Sequence, residues 1–384
     1  MSRRRSRRST DSLSVTVSGG SMGGLFAGLA LEDAGHEPTI YEQSTGDLRG
    51  RGAGIVVQEN VRRFLERRDV VDPGAIATTS SERRFLARDG DVETSRPNSM
   101  VFTSWDAVYR RLREAFPDDR YRMGREVVGV DPATATAEFA AGDEREADLV
   151  VAAEGGQSST RRQLFPEAGP EFADYVAWRG VVDESDLAPA VADRFDDAFV
   201  FYQGQELLVL AYFIPGDDGG TAPGERRLNW VWYDTLENRD RSAVFTDATD
   251  AEREITVPPG ALREPVRTQQ LERASDVLPP VFSRIVAETP TPFVQAIYDL
   301  TVPEMVVDRV CLLGDAAFVA RPHTAAGTAK AAGDAIALER ALDRHDARSA
   351  ALSTWNDSRT EYGDRLVARG RRMGDERLGL ADSN

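Results

Sequence analysis

The sequence predicts an α/β fold in which a Rossmann-like dinucleotide-binding domain is interleaved with a second, mostly antiparallel β-sheet domain and followed by a C-terminal helix. Three observations predict it. A glycine-rich turn follows the first predicted strand, two later strands also end in a glycine beside an acid, and aromatic residues fill strand-like segments in the middle of the chain. With 384 residues, the chain is long enough for two domains.

The first element is a strand–turn–helix–strand unit. Residues 14–18 predict a β-branched strand, residues 25–33 a helix of mostly small residues, and residues 38–41 a second strand that ends at Glu42. Glu42 follows Gly19 at about the ~20-residue spacing expected of an acid that bonds a ribose hydroxyl. The unit therefore indicates a dinucleotide site, with the pyrophosphate at the helix N-terminus.

The turn GGSMGG, residues 19–24, allows two interpretations. It fits G-x-G-x-x-G with Ser21 in place of the second glycine, and it also contains G-x-S-x-G, the elbow that presents a nucleophilic serine. In the second interpretation His323 would supply the base. A nucleophile elbow normally follows several strands, whereas this turn follows the first, so dinucleotide binding is favoured.

Two later strands run into similar turns. The strands over 148–153 and 310–313 lead into turns at Glu154 and Asp315, and a helix of small residues begins near Ala325. An acid beside a glycine at the carboxyl end of a strand suits bonding to a ribose or polyol. The N-terminus of a helix stabilises a ring that becomes anionic.

In this order, the three blocks resemble those of the FAD-dependent aromatic hydroxylases, the flavoprotein monooxygenases of the p-hydroxybenzoate hydroxylase type. The resemblance implies FAD as cofactor and NAD(P)H as a co-substrate that binds transiently. It implies that the first turn holds the ADP half of FAD, and that the later turns hold the remainder. The cofactor-binding residues expected from these motifs are Gly19, Gly20, Ser21, Met22, Gly24, Glu42, Glu154, Gly155, Arg161, Gly314, Asp315, Pro322, Ala326 and Gly327.

The chain departs from the family pattern at several positions. Glu154 stands where the family usually has aspartate, and Ser104 stands where an arginine often contacts FAD. We expect Arg49 or Arg51 to take the place of that arginine in neutralising the pyrophosphate.

Five stretches narrow the resemblance to members that act on hydroxypyridine rings: GAGIVVQ at 52–58, FTSWDAVY at 102–109, YVAWRGVV at 175–182, LNWVWY at 228–233 and GDAAFVARPHTAAGTAK at 314–330. The implied reaction is hydroxylation of an electron-rich aromatic or hydroxypyridine-type ring by dioxygen, through a flavin C4a-hydroperoxide. Two alternatives remain open. One is a FAD-dependent reductase or dehydrogenase on the same fold, and the other is a serine hydrolase that uses Ser21 or a binding module that needs little cofactor.

Two residues of the last block are candidates for catalysis. Lys330 is the only lysine of the chain, and a compact cation at this position would lie near the flavin or a substrate oxyanion. His323 would orient the substrate or accept a phenolic proton. The alternatives are a surface lysine and a loop histidine that bonds the backbone. The aromatic strands predict a flat apolar substrate cavity, with candidate contacts from Gln58, Trp178, Arg179 and Tyr212.

We expect the two domains to alternate along the chain. The predicted segments are 12–75, 100–165 and 296–345 for the FAD-binding domain, 76–99 and 166–295 for the substrate domain, 346–384 for a C-terminal helix and tail, and 1–11 for a disordered basic arm.

Composition excludes several classes of protein. A net charge of −17 opposes nucleic acid and anionic membranes as partners, and no stretch approaches the ~20 apolar residues of a membrane span. Cys311 is the only cysteine and there are three histidines, so no disulfide or metal site is expected. The acid-rich, lysine-poor sequence indicates a halophilic protein. A cytoplasmic location is expected because no apolar stretch suits a membrane span or an export signal. The expected partners are a small aromatic substrate and dioxygen, and the resemblance makes a homodimer a candidate.

Overall fold

The computed structural model describes residues 12–48, 50, 53–236 and 239–380. The strands are β1 Ser14–Ser18, β2 Glu37–Glu42, β3 Gly54–Val56, β4 Thr78–Leu86, β5 Val92–Ser104, β6 Tyr121–Met123, β7 Val127–Asp131, β8 Thr136–Phe139, β9 Glu144–Glu146, β10 Leu149–Ala152, β11 Glu171–Asp183, β12 Ala198–Gly204, β13 Leu207–Ile214, β14 Arg227–Thr235, β15 Thr256–Val257, β16 Phe293–Asp299, β17 Val306–Val307 and β18 Val310–Leu312. The helices are α1 Met22–Asp33, α2 Glu59–Arg67, α3 Trp105–Ala115, α4 Ser159–Leu164, α5 Pro189–Phe195, α6 Arg241–Phe245, α7 Glu264–Val277, α8 Pro280–Glu288, α9 Gly327–Arg344 and α10 Arg348–Leu378.

A six-stranded sheet has the order β17-β18-β10-β1-β2-β6. All its pairings are parallel except that of β17 with β18. Such sheets are covered by helices, which explains why β10, LVVA, is an uninterrupted apolar run. The carboxyl ends of β1, β10 and β18 therefore lie at one edge, which brings the three glycine–acid turns together as the Rossmann-like prediction requires.

A nine-stranded sheet has the order β15-β16-β11-β14-β13-β12-β4-β5-β3. Its pairings are antiparallel except that of β12 with β4, which confirms the predicted second sheet. Successive side chains of a strand point to opposite faces. One face packs against α7 and α8 in a core that includes Trp230 and Phe282, and the other carries Tyr212 and Tyr233.

Two strands of the nine-stranded sheet contain residues that were predicted to belong to the cofactor domain. Strand β3 pairs with β5 in the nine-stranded sheet, although 12–75 was assigned to the cofactor domain. Strand β16 crosses the predicted boundary at 295–296 and pairs with β11. Residues 127–146 contain a separate three-stranded sheet, β7-β8-β9.

The C-terminal helix is present as predicted, and α10 extends over 31 residues. It packs against α9, where Trp355 Nε1 donates to the carbonyl of Asp334 at 3.0 Å and Arg359 pairs with the buried Asp334 carboxylate. Its last turn carries Arg377 to the nine-stranded sheet. In the described part of the chain, no helix is both long and apolar enough to cross a membrane.

Candidate active site

The first glycine turn has backbone geometry that a side chain would block. Gly19 adopts a φ of +101°, and a Cβ built on it would lie 2.4 Å from the carbonyl oxygen of Ala153. A Cβ on Gly24 would lie 1.9 Å from the carbonyl oxygen of Gly19. Glycine is therefore required at both positions, so that β1, β10 and α1 can approach one another closely.

Ser21 lies at the N-cap of α1 but does not cap it. Its side chain accepts no hydrogen bond from the first turn, so the N–H groups that begin at Met22 remain directed at the space beyond the helix. That arrangement suits a pyrophosphate. His323, which the hydrolase interpretation needs, instead lies 2.9 Å from Tyr175 in the second sheet.

Glu42 is buried at the end of β2. Its carboxylate accepts hydrogen bonds from the backbone N–H groups of Gly20 at 2.8 Å and Ser44 at 2.9 Å. Tyr121 donates to the carbonyl of Gly20 at 2.7 Å and fixes the turn from the other side. The acid predicted to bond ribose therefore lies directly against the glycine turn.

The residues of the central motif, Glu154 and Arg161, mainly hold neighbouring elements together. Glu154 accepts hydrogen bonds from the hydroxyls of Ser18, Ser158 and Thr160 at 2.6–2.8 Å, and thereby ties β1 to the start of α4. Arg161 is buried, and its guanidinium donates to the carbonyls of Ala168 and Ala316. Burial lowers the pKa of Arg161.

Gly155 adopts a φ of +80° between β10 and α4, with open space around the position of a Cβ. It lies in the turn that connects β10 to α4.

Arg49 and Arg51, predicted to neutralise the pyrophosphate, lie outside the described residues.

The last block contains a buried ion pair. The side chain of Lys330 is 1% exposed, and its Nζ lies 2.6 Å from a carboxylate oxygen of the half-exposed Asp315. The ammonium also donates to the carbonyl of Phe318 and lies 4.4 Å from the centre of that ring. Lys330 is therefore not a surface lysine. Because the ammonium group of Lys330 pairs with the carboxylate of Asp315, it holds that acid in place. Its charge is therefore not free to pair with a substrate oxyanion.

The loop before α9 is fixed by a residue that was predicted to contact substrate. Gln58 donates from its amide to the carbonyls of Thr324 and Ala325, at 3.2 and 2.9 Å. Ala325 adopts a left-handed φ of +53°, which bends the chain into the helix N-terminus. Gln58 thus supports the loop 322–327, which includes Pro322, Ala326 and Gly327. Gly314, at the end of β18, donates its N–H to the buried Asp334 at 3.0 Å.

His323 projects from this loop into an aromatic environment. Its Nε2 lies 2.9 Å from the hydroxyl oxygen of Tyr175, and its ring centre lies 4.4 Å from that of Tyr233. Burial, together with the charges of Arg377 and Arg321, lowers the pKa of His323 to about 3. The ring is therefore neutral at physiological pH. Its Nδ1 is buried without a hydrogen-bond partner among the described residues.

A cavity of about 410 Å³ lies between this loop and the nine-stranded sheet. Pro322, His323 and Gly327 line the side nearest α9, and Asp315 and Lys330 lie at the same wall. The opposite side is formed by cavity-facing residues of the sheet, among them Arg179, Phe199, Phe201, Tyr212 and Tyr233. A volume of this size suits a single small ring beside a cofactor.

The prediction that Trp178 contacts the substrate is wrong. Trp178 is 1% exposed and packs in the core on the helix-covered face of the sheet. The reason is the two-residue period of β11, because Arg179 and Trp178 are neighbours and must point to opposite faces. Arg179 and Tyr212 do line the cavity.

Sequence reasoning missed two arginines of the cavity wall. Arg83 comes from β4 and Arg377 from the last turn of α10. Both belong to segments predicted to lie outside any motif, and arginine is common throughout the chain. Only the alternation of residues along β4 could have indicated which face Arg83 occupies.

These residues fit FAD. The glycine turn leaves no room for a Cβ, the first turn of α1 leaves its N–H groups free, and the buried Glu42 ends β2 at the ribose position. Across the same edge of the sheet, Asp315 and the N-terminus of α9 border the cavity. No group of three or more metal-ligating side chains occurs in the described part of the chain.

A parallel sheet with three glycine turns at one edge, closed over a cavity by an antiparallel sheet, defines a flavoprotein of the FAD-dependent hydroxylase type. Residues 172–299 match the family described as FAD binding domain-like. The chain is 35% identical over 364 residues to the 2,6-dihydroxypyridine 3-monooxygenase of Paenarthrobacter nicotinovorans, covering 94% of this chain and 90% of that protein. It belongs to the family of FAD-dependent monooxygenases, with FAD as cofactor and NAD(P)H as co-substrate.

Two further similarities support this assignment. The 6-hydroxynicotinate 3-monooxygenase of Pseudomonas fluorescens is 26% identical, over 85% of this chain and 82% of that protein. The solved structure of 2,6-dihydroxypyridine-3-hydroxylase from Arthrobacter nicotinovorans superposes with a TM-score of 0.90 and 33% identity, covering 96% of this chain and 94% of that one. The narrower resemblance to enzymes of hydroxypyridines is therefore confirmed, and the hydrolase and reductase alternatives are not supported.

Proposed function

We propose that this monooxygenase hydroxylates a hydroxylated aromatic or hydroxypyridine ring that binds in the 410 Å³ cavity, with dioxygen as co-substrate. The observation that carries the proposal is the position of the cavity. One wall is the loop 322–327 beside the implied flavin site, and the other is the aromatic face of the nine-stranded sheet. A relative named for 2,6-dihydroxypyridine and another named for 6-hydroxynicotinate support a hydroxypyridine as the ring.

The chain offers contacts to both halves of FAD. We assign the turn 19–24 and Glu42 to the ADP half, and Asp315 with the loop 322–327 to the flavin half. Lys330 acts as a positioning residue through its ion pair with Asp315. Bound FAD, once reduced by NAD(P)H, supplies the activation of dioxygen and the transfer of one oxygen atom to the ring.

His323 is proposed to accept a hydrogen bond from a ring hydroxyl. Because burial lowers its pKa to about 3, the imidazole is neutral, and Nδ1 is the ring nitrogen without a partner in the described structure. When Nε2–H donates to Tyr175, Nδ1 is an acceptor. A hydrogen bond accepted from the hydroxyl makes the ring more electron-rich, which favours attack on an electrophilic oxygen.

The sheet contributes orientation and exclusion of water. The ring of Phe199 contacts those of Phe201 and Tyr212 at centroid distances of 4.2 and 5.1 Å, and the three rings give the cavity an aromatic surface. A flat ring would lie against this surface with its hydroxyl directed at the loop. Exclusion of water from the cavity limits loss of reducing equivalents to solvent.

The test is a panel of hydroxypyridines and phenols offered to the FAD-loaded protein at low and high salt. We expect NAD(P)H oxidation to rise at least tenfold with a true substrate, and mass spectrometry under isotopically labelled dioxygen to find one labelled oxygen in the product. NAD(P)H oxidation that every ring leaves unchanged, or that yields no oxygenated product, would contradict the proposal. A His323→Asn variant should retain FAD but lose at least tenfold in kcat.

Adaptation to high salt is also proposed, from a net charge of −17 and a single lysine. An acid-rich surface stays hydrated and is screened from self-repulsion by salt. The domain boundaries, a cytoplasmic location and a homodimer stay predictions.

A further inference from the structure

Arg321 directly precedes the loop 322–327 and attaches that loop to two other elements. Its side chain is 8% exposed, and its Nε donates at 3.0 Å to Oδ2 of Asp299, the last residue of β16. Its Nη1 donates at 2.6 Å to Asp375 of α10. One buried guanidinium therefore joins the start of the loop to the nine-stranded sheet and to the C-terminal helix.

The helix α10 approaches Arg321 through a face that carries glycines. Gly363, Gly370 and Gly374 follow one another at spacings of seven and four residues, which places them on one side of the helix. A Cβ on Gly370 would lie 3.0 Å from the backbone nitrogen of Arg321, and one on Gly374 would lie 2.9 Å from its Nη1. Glycine weakens a helix interior, so these positions indicate that close contact with the loop offsets that loss.

The same cluster contacts the tyrosine that binds His323. Tyr175 is fully buried, and its hydroxyl oxygen lies 2.9 Å from Nε2 of His323. Cζ of Arg321 lies 5.6 Å from the centre of the Tyr175 ring, within the range of a cation–π contact. A Cβ on Gly374 would lie 2.8 Å from the Tyr175 hydroxyl. Tyr175 is therefore in contact with His323, with the guanidinium and with α10.

A second arginine supplies charge to the same buried acid. Arg371 of α10 donates to Oδ2 of Asp299 at 3.1 Å and to Glu171 at 2.6 Å, and its side chain is 45% exposed. A buried carboxylate needs a partner, and Arg371 already provides one for Asp299. The contribution particular to Arg321 is the attachment of the loop.

We infer that Arg321 is a positioning residue for the hydroxylation, and that it acts through Tyr175 and the loop 322–327 to hold His323 against the nine-stranded sheet. The inference rests on the proposed function for the role of His323 in the reaction, whereas the position of the imidazole is independent of it. Two carboxylates on separate elements fix the planar guanidinium more closely than one charge would. Without that attachment, the imidazole enters water and the substrate hydroxyl loses its acceptor.

The experiment follows the His323 imidazole by NMR in the histidine-labelled, FAD-loaded protein, since the chain has only three histidines. A His323→Asn variant identifies the signal. Burial is the largest cause of the lowered pKa of His323, so the wild-type signal should not titrate between pH 8 and about pH 5. In Arg321→Gln, we expect the signal to titrate near the ordinary value of 6.5 and kcat to fall about tenfold.

Loss of the Arg321 charge alone does not produce this titration, because burial and the charge of Arg377 both contribute more to the lowered pKa of His323. Arg321→Lys retains the charge but not the planar fork, so kcat should recover to about threefold below wild type.

The matched control is Arg371→Gln, which removes the other arginine from Asp299. It should lower the free energy of unfolding but leave kcat within about twofold and His323 neutral. If Arg321→Gln behaves in the same way, Arg321 is only a structural residue and the inference is overturned. Either change in Arg321→Gln without the other, a titrating His323 or a lower kcat, also overturns it.

A second variant decides the question if Arg321→Gln does not fold. Asp375 is 35% exposed, and Asp375→Asn leaves the pair of Arg321 with Asp299 in place. We expect a shifted His323 signal at pH 7 and a kcat about threefold lower, whereas Glu361→Gln on the exposed side of α10 should change neither. Wild-type values in Asp375→Asn would overturn the inference. A wild type that hydroxylates no ring would contradict the proposed function, and the NMR result alone would then decide the attachment of the loop.

Discussion

The two faces of the nine-stranded sheet carry aromatic residues in similar number but differ in what surrounds them. On the helix-covered face, Trp178, Trp230 and Trp232 are at most 1% exposed and pack against α7 and α8. On the cavity face, Tyr212 and Tyr233 lie beside arginines and an open volume. Aromatic content therefore predicts a sheet core, whereas the polar groups at alternate positions decide which face becomes a site.

The largest expected effect is on the helix-covered face. Trp178→Ala should lower the free energy of unfolding by about 3–5 kcal/mol, because it removes a fully buried ring from a packed core. Urea denaturation measures this loss. Ring binding by the fraction that remains folded should stay within about twofold of wild type. A Trp178→Ala variant of normal stability that no longer binds the substrate ring would indicate instead that Trp178 lines the cavity.

The next effect is a pH dependence from the loop that faces the cavity. The pKa of His323 is lowered from its ordinary value of 6.5 to about 3, so the unfolded chain takes up a proton below pH 6.5 that the folded chain does not. Stability from this residue is therefore complete above pH 6.5 and lost as the pH falls toward 3. Between pH 7 and 5, wild type should lose about 2 kcal/mol more than His323→Asn.

Denaturant unfolding at pH 7 and at pH 5 measures the loss of free energy of unfolding in each protein. The contribution of the carboxylates is common to both proteins and cancels when the two losses are subtracted. Equal losses in the two proteins would mean that His323 titrates normally in the folded protein. That result would contradict its burial against Tyr175 and Tyr233.

A smaller effect belongs to a hydroxyl on the cavity face. Tyr212→Phe should change the free energy of unfolding by less than about 0.5 kcal/mol, because the ring remains packed against Phe102 at 4.1 Å. Ring affinity should fall about three- to tenfold, as expected for one lost hydrogen bond. Calorimetry of the FAD-loaded variant measures the affinity. A large loss of stability with unchanged affinity would place Tyr212 among the core residues.

The smallest effect lies outside both faces, at the glycine turn. Ser21→Ala removes a hydroxyl that caps no helical N–H, so FAD affinity should stay within about threefold and activity should survive. Fluorescence of released FAD measures the affinity. Complete loss of activity with FAD still bound would restore the nucleophile elbow as an interpretation of the turn.

Local patterns predicted the fold well. The turn at 19–24, Glu42 and the strands at 148–153 and 310–313 are short-range signals, and parallel strands bring their carboxyl ends to one edge regardless of the rest of the chain. The long helix near the C-terminus was also predicted because its signal lies in the local sequence.

The cavity was less predictable because it depends on long-range pairing. Which side of β11 faces the cavity follows from its pairing with β14 and β16, and this pairing decides between Trp178 and Arg179. Gln58 and Lys330 were identified in the correct region, but their contacts show that they support the loop and Asp315. Arg377 reaches the site only because α10 returns to the sheet.

The most direct test uses Trp178 and Arg179, which are neighbours on β11 and occupy opposite faces of the sheet. The absorbance of bound FAD is followed while 6-hydroxynicotinate is added to wild type, Trp178→Phe and Arg179→Met. We expect a Kd within about twofold of wild type for Trp178→Phe and a Kd at least tenfold higher for Arg179→Met. Weak binding by Trp178→Phe together with normal binding by Arg179→Met would contradict it.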